Sequence, residues 1–64
     1  MKEQMIAYLQ TKLTRFQRDL ERYGREDRKV LRQFDDMIAC KEMAEALIGE
    51  PVNLRMDGTV TVGF

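Results

Sequence analysis

The sequence predicts an α+β fold, mainly α, in which an antiparallel pair of helices is followed by a β-hairpin. Three observations support this prediction. Apolar residues recur every three or four positions from residue 6 to residue 48, a glycine lies near the midpoint of that run, and the last 13 residues alternate apolar and polar side chains. The whole chain, residues 1–64, is long enough for a single small domain.

The helical part of the sequence carries one apolar seam with two exceptions. Its thirteen positions, eleven of them apolar, are Ile6, Leu9, Leu13, Phe16, Leu20, Tyr23, Asp27, Val30, Phe34, Met37, Lys41, Ala44 and Ile48. This spacing places the apolar side chains on one face of a helix, as in helices that pack along a heptad-like stripe. The seam therefore predicts helices that pack on each other.

The first predicted helix covers residues 2–23, and the second covers residues 27–48. Gly24 is the residue type that most readily takes the left-handed conformation after a helix end. Asp27 can act as the N-cap of the second helix, and Gly49 with Pro51 beyond it can end that helix. Two helices of about 22 residues, each roughly 33 Å long, suit an antiparallel hairpin.

One alternative is a continuous coiled-coil helix over residues 2–48, again followed by the β-hairpin. The seam stays in phase across Gly24. A glycine inside a helix costs only about 1 kcal/mol relative to alanine. The sequence alone therefore leaves both arrangements open.

The C-terminal residues predict a β-hairpin with strands at about 52–55 and 59–63. Asp57-Gly58 is a strong turn signal. A three-residue loop at 56–58, with Gly58 left-handed, pairs like residues across the strands. The apolar face then holds five side chains: Val52, Leu54, Val60, Val62 and Phe64.

The chain has more apolar surface than a lone helical hairpin can cover, which predicts a homo-oligomer, either a dimer or a larger assembly. A domain of this size has a marginal core without support from another subunit, and an isolated β-hairpin is marginal in water. A dimer forming a four-helix bundle would bury the surplus. The predicted oligomer interface consists of Leu31, Ile38, Leu47, Val60, Val62 and Phe64.

Charge is unevenly distributed although the net charge is zero. Residues 12–32 hold eight basic and four acidic residues, whereas residues 33–64 hold two basic and six acidic ones. A basic stripe on the first helix consists of Arg15, Arg18, Arg22 and Arg25. Such a stripe can contact an acidic protein surface or nucleic-acid phosphates, or it can be a solvated face neutralised by nearby acids.

No catalytic, cofactor-binding or metal-binding residues are predicted, and we expect the protein not to be an enzyme. The chain has no histidine, so the usual Cys–His nucleophile and Cys/His zinc patterns are absent. Lys41 is expected to extend its head to water or to Glu45, and Cys40 to pack as a small apolar residue. The carboxylates expected to form solvated helix surface are Asp35, Asp36, Glu42 and Glu45.

These patterns predict a small, non-enzymatic, homo-oligomeric binding module that acts as a regulator, inhibitor or adaptor. Its expected partner is another macromolecule, a protein before a nucleic acid, with no membrane partner. The alternatives are a nucleic-acid-binding protein that uses the arginine stripe and a purely structural oligomerisation element. The single cysteine and the lack of an apolar N-terminal run predict a cytoplasmic protein.

Overall fold

Two helices and a β-hairpin follow one another in the computed structural model, which describes residues 2–63. The elements are α1 (Lys2–Tyr23), α2 (Arg28–Ile48), β1 (Val52–Leu54) and β2 (Val60–Val62). This order confirms the predicted α+β, mainly α architecture. The strands are shorter than predicted, and residue 64 lies outside the described residues.

The break between the helices lies where the glycine and the aspartate predicted it. Gly24 has a φ of +88°, and its N–H donates to the carbonyl of Leu20 at 2.9 Å. Asp27 is extended, and its carboxylate accepts the backbone N–H groups of Lys29 and Val30. A continuous helix over residues 2–48 is therefore wrong, because neither Gly24 nor Asp27 takes helical backbone angles.

The core lies where both helices meet the β-hairpin. Seven apolar residues of the described chain are buried. Six of them form one cluster, Leu9, Leu13, Met37, Ala44, Val52 and Val60, and Val30 is buried nearer the interhelical loop. The rings of Phe16 and Phe34 extend this contact towards the interhelical loop, with centroids 5.7 Å apart. Five of the seven buried residues belong to the predicted seam, so the seam is the surface along which α1 and α2 pack.

The β-hairpin has the predicted register. Val52 pairs with Val62, and Leu54 pairs with Val60. The N–H of Arg55 donates to the carbonyl of Thr59 at 2.9 Å. Gly58 has a φ of +92°. The three-residue loop at 56–58 is therefore confirmed, and the side chain of Asp57 supports it by accepting both the N–H and the hydroxyl of Thr59.

The β-hairpin lies along one face of the helix pair, with β1 on α2 and β2 on α1, and covers only part of that face. At one end the Lys2 ammonium and the Glu50 carboxylate form an ion pair at 3.0 Å. At the other end the amide of Gln17 donates to the carbonyl of Met56 in the loop. The hairpin thus covers one face of the helix pair up to the level of Gln17. The opposite face and the end nearest the interhelical loop remain uncovered.

Candidate functional site

The face of the helix pair opposite the β-hairpin is open. Gln17 and Glu45 lie on the covered side. The side chain of Gln17 donates a hydrogen bond to the hairpin backbone, and the side chain of Glu45 accepts one from it. At 100° per residue, Tyr8 lies about 180° from Gln17 around α1, and Met43 lies about 160° from Glu45 around α2. Tyr8 is 59% exposed and Met43 is 64% exposed. These two side chains flank the space between the helices on the open face.

A shallow apolar cavity of about 260 Å³ lies between Tyr8 and Met43. We call it the helix groove and define it by Met5, Tyr8, Leu9, Cys40, Met43 and Ala44. Gln4 completes the lining, which contains no charged side chain. Leu47, which is 64% exposed, lies one helical turn beyond Met43. The groove is therefore an exposed, uncharged surface formed by both helices.

The charged side chains at the two ends of the helix groove are paired. Lys2 pairs with Glu50 at one end. At the other end, Lys12 forms an ion pair with Asp36 and lies over the ring of Tyr8, 5.1 Å from its centroid. The hydrogen bond to Asp36 raises the pKa of Lys12 above its ordinary 10.5. At both ends, therefore, the groove is bordered by charged side chains that neutralise each other in ion pairs.

A polar contact joins the helices further along the open face, nearer the loop. The carboxylate of Asp19 accepts the side-chain amide of Gln33 at 2.6 Å. This hydrogen bond lowers the pKa of Asp19, and the charge of Arg18, 3.7 Å away, lowers it further. Asp19 is therefore used to connect α1 to α2.

A second uncovered apolar area lies on the hairpin side, beyond the level of Gln17. We call it the phenylalanine patch and define it by Phe16, Leu20, Leu31 and Phe34, which line a cavity of about 280 Å³ together with Arg25 and Val30. Leu31 is 50% exposed and Phe34 is 45% exposed. The short hairpin leaves this area open because its loop ends near Gln17.

The residues predicted as an oligomer interface do not form one surface. Leu47 lies near the helix groove and Leu31 in the phenylalanine patch, on opposite sides of α2. Ile38 and Val62 are half-buried, and Val62 packs on the core. Val60 is only 6% exposed, because the hairpin uses it to cover its own helices. Phe64 lies outside the described residues.

Sequence reasoning missed the residues that make the helix groove. Tyr8 and Met43 each lie one position before a seam residue, so the periodicity predicted no packing partner for either side chain. The available signal was that apolar residues flank the seam on the same side of each helix, with Tyr8 beside Leu9 and Met43 beside Ala44. This signal indicates an exposed groove only in combination with the position of the hairpin, which leaves this side of the helix pair open.

The four predicted arginines are all exposed, but they do not share one helix. Arg15, Arg18 and Arg22 lie on α1, whereas Arg25 lies in the interhelical loop, because α1 ends at Tyr23. The guanidinium of Arg22 lies 5.4 Å from the centroid of the Tyr23 ring. The predicted stripe of four arginines along α1 is therefore wrong for Arg25, and the other three arginines lie on α1.

The polar exception in the seam has the role expected for it. The Lys41 ammonium donates to the Glu45 carboxylate at 3.2 Å, and both side chains are 28% exposed. Cys40 is half-buried and contributes to the wall of the helix groove. Within residues 2–63, no three Cys, Asp or Glu side chains come together as metal ligands.

Comparison with protein-family models, with curated proteins and with solved structures finds no match to this chain. Neither helix of the described chain has the length and apolar character needed to cross a membrane. The candidate sites are thus the helix groove, the phenylalanine patch and the exposed arginines. The helix groove and the phenylalanine patch can form apolar contacts, and the arginines offer positive charge.

Proposed function

We propose that the chain is a small, non-enzymatic binding module that works as a homo-oligomer, with a second copy of itself in the helix groove. The observation that carries this proposal is the uncharged groove on the open face of two nearly equal helices, of 22 and 21 residues. Helices of equal length can pack face to face around a two-fold axis, which gives a four-helix bundle.

The chemistry of the helix groove favours an apolar protein surface as its occupant. The centres of protein interfaces are depleted in charge and enriched in aromatic residues and methionine. The groove has this composition, with Tyr8, Met5 and Met43 in its lining and no charge. The ion pairs at its ends, Lys2–Glu50 and Lys12–Asp36, suit the polar rim of such an interface.

The size of the open face also favours a second copy. The molecule measures 33 × 19 × 19 Å, so a face along its long axis has a footprint of about 600 Å², somewhat below the roughly 800 Å² per partner of a standard interface. The helix groove occupies the part of the open face between the Lys2–Glu50 and Lys12–Asp36 ion pairs, and the arginines lie beyond it. A second helix pair has the matching length and width.

The small core gives a reason for self-association. Residues 2–63 contain seven buried apolar side chains, which is a small core, and domains of this size are marginal without a disulfide, a metal or another subunit. Covering Tyr8, Met43 and Leu47 would add apolar burial that the single chain does not achieve. The same contact would therefore stabilise the fold and assemble the module.

Light scattering on the intact chain tests this proposal. We expect twice the chain mass of 7.6 kDa at concentrations within about 1 μM to 1 mM, the range of weak to moderate affinities. Met43→Glu should yield a monomer, because it places a charge in the groove. Met56→Glu is the matched control, since Met56 is 96% exposed on the hairpin loop. Circular dichroism checks that both variants fold.

Three outcomes would contradict the proposal. The first is a wild-type chain that stays monomeric throughout that concentration range. The second is a Met56→Glu variant that dissociates as readily as Met43→Glu. The third is dissociation by Leu31→Glu but not by Met43→Glu, which would move the interface to the phenylalanine patch.

A further inference from the structure

Positive charge is concentrated at the end of the molecule where the chain passes from α1 to α2. Seven of the eleven lysines and arginines lie between residues 15 and 32. We call this set the basic end: Arg15, Arg18, Arg22, Arg25, Arg28, Lys29 and Arg32. All seven are exposed. The antiparallel turn brings together residues from the second half of α1 and the first half of α2.

The acidic residues of the same segment do not neutralise the basic end. Four acids lie within residues 15–32, so seven minus four leaves an excess of three positive charges. Asp19 is hydrogen-bonded to Gln33, and Asp27 caps α2. Among the residues that the structure describes, Arg18 is the one member of the basic end in an ion pair. Six cationic side chains are therefore available to a partner.

Two of these charges lie where they oppose the stability of the helix. Arg28 and Lys29 are in the first turn of α2, which contains no acidic residue. The N-terminus of a helix carries partial positive charge, so cations there are unfavourable and acids are favoured. The helix end does not account for these two cations, and an anionic partner would stabilise them.

From these observations we infer that the basic end binds the phosphodiester backbone of a nucleic acid. Guanidinium groups match phosphate geometry with paired hydrogen bonds. The basic end draws on α1, the interhelical loop and α2, so its side chains can contact several phosphates at once. Phosphate contacts carry no sequence information directly, which gives binding with little sequence preference. This surface includes α2 and does not depend on the helix groove.

One aromatic residue lies beside the basic end and bears on which nucleic acid is preferred. Tyr23 is 50% exposed and is the last residue of α1. An exposed ring next to arginines can stack on an unpaired base. The comparison of a duplex with a single strand of the same length therefore separates backbone contact alone from backbone contact with stacking.

Fluorescence anisotropy with labelled oligonucleotides of mixed sequence tests the inference on the intact chain. The probes are a duplex and a single strand of about 20 nucleotides. If three or four phosphates of the duplex are neutralised, its affinity should fall about 40- to 150-fold between roughly 50 and 200 mM salt. Arg22→Gln should reduce the salt slope by about one and weaken binding about eightfold at roughly 0.1 M salt.

Arg55→Gln is the matched control, because Arg55 is an exposed arginine on the hairpin, outside the basic end. It should leave affinity and salt slope unchanged. No binding at about 50 mM salt, affinity that does not depend on salt, or an equal loss in Arg55→Gln would overturn the inference. Binding to phosphatidylserine vesicles without binding to either oligonucleotide would overturn it too. Because the oligomer is measured by mass without nucleic acid, the two proposals can fail separately.

Discussion

The Glu45 carboxylate accepts the backbone N–H of Val52 at 2.8 Å and so ties α2 to the first residue of β1. The neighbouring cross-strand hydrogen bonds, Gly63 to Pro51 and Arg55 to Thr59, put the Val52 N–H on the outer edge of β1, where no strand can accept it. Val52 is only 1% exposed, so water cannot easily replace that acceptor. Glu45 therefore supplies the acceptor that the sheet itself cannot offer to this N–H.

The Glu45 contact predicts a fall in stability in acid. Hydrogen bonds from the Val52 N–H and then from Lys41 lower the pKa of Glu45 below its ordinary 4.5. A carboxylate with a lowered folded-state pKa stabilises the fold above its unfolded pKa, and this contribution is lost as the pH falls through the folded value. Thermal unfolding by circular dichroism should show a midpoint that declines below about pH 4.5, less steeply in Glu45→Gln.

Glu42→Gln is the matched control for that experiment, because Glu42 is an exposed glutamate on the same helix. It removes the same charge and should keep the wild-type decline in acid. At neutral pH, Glu45→Gln should unfold a few degrees lower than the wild type, and Glu42→Gln should not. Identical pH profiles for the two variants would show that the negative charge of Glu45 adds nothing to its contact with Val52.

Leu9 is expected to be one of the largest contributors to stability. It is 2% exposed, and Leu9→Ala should cost about 2–5 kcal/mol, through lost apolar burial and the cavity left behind. Urea unfolding measures the change. The same substitution at Leu31, which is 50% exposed, should cost about 1 kcal/mol or less. A smaller loss at position 9 than at position 31 would contradict the described core.

Asp27 should stabilise the start of α2. Its side chain accepts the N–H of Lys29 at 2.9 Å and that of Val30 at 3.3 Å. Asp27→Ala removes both acceptors and should cost about 1 kcal/mol of unfolding free energy. Asp27→Ser retains an N-cap oxygen and should recover most of that loss. A serine variant as unstable as the alanine variant would argue against capping as the cause.

Gly24→Ala distinguishes a helical hairpin from a continuous helix. Gly24 has a φ of +88°, and beyond its chain neighbours no atom lies within 4 Å of the position that an added Cβ would take. The substitution therefore acts through the backbone alone and should cost about 1–2 kcal/mol. In a continuous helix the same change would stabilise by about 1 kcal/mol. Chemical synthesis with D-alanine at position 24, which favours positive φ, should restore the stability, as urea unfolding can show.

The parts of the fold that depend on short-range chemistry were predictable. The helix ends follow from Gly24, Asp27 and Gly49, whose backbone or side-chain preferences act within a few residues. The pairing of Val52 with Val62 follows from the two-residue period of strands, since a shift by one residue would bring apolar and polar side chains onto the same face. Lys41 was also predictable, because its partner Glu45 lies one turn away on the same helix.

The position of the hairpin on the helix pair depends on contacts that are remote in sequence. Gln17 meets Met56, and Lys2 meets Glu50; no local pattern links these residues. The sequence therefore identified Val60 as surplus apolar surface, whereas the fold buries it. The predicted separate protein partner stays a prediction, because the helix groove is proposed to hold a second copy of the chain.

By itself, then, the sequence determined the kinds of the elements and the register of the hairpin, because these follow from the periods of helix and strand. It indicated a break at Gly24 but left a continuous helix open. The tertiary structure alone decided which apolar side chains stay exposed and which charges meet. Hydrophobic burial has no direction, so Tyr8, Met43 and Val60 were equally suited to the core. Packing the hairpin on one face buried Val60 and left the helix groove open on the other, while the antiparallel turn between the helices brought the basic end together.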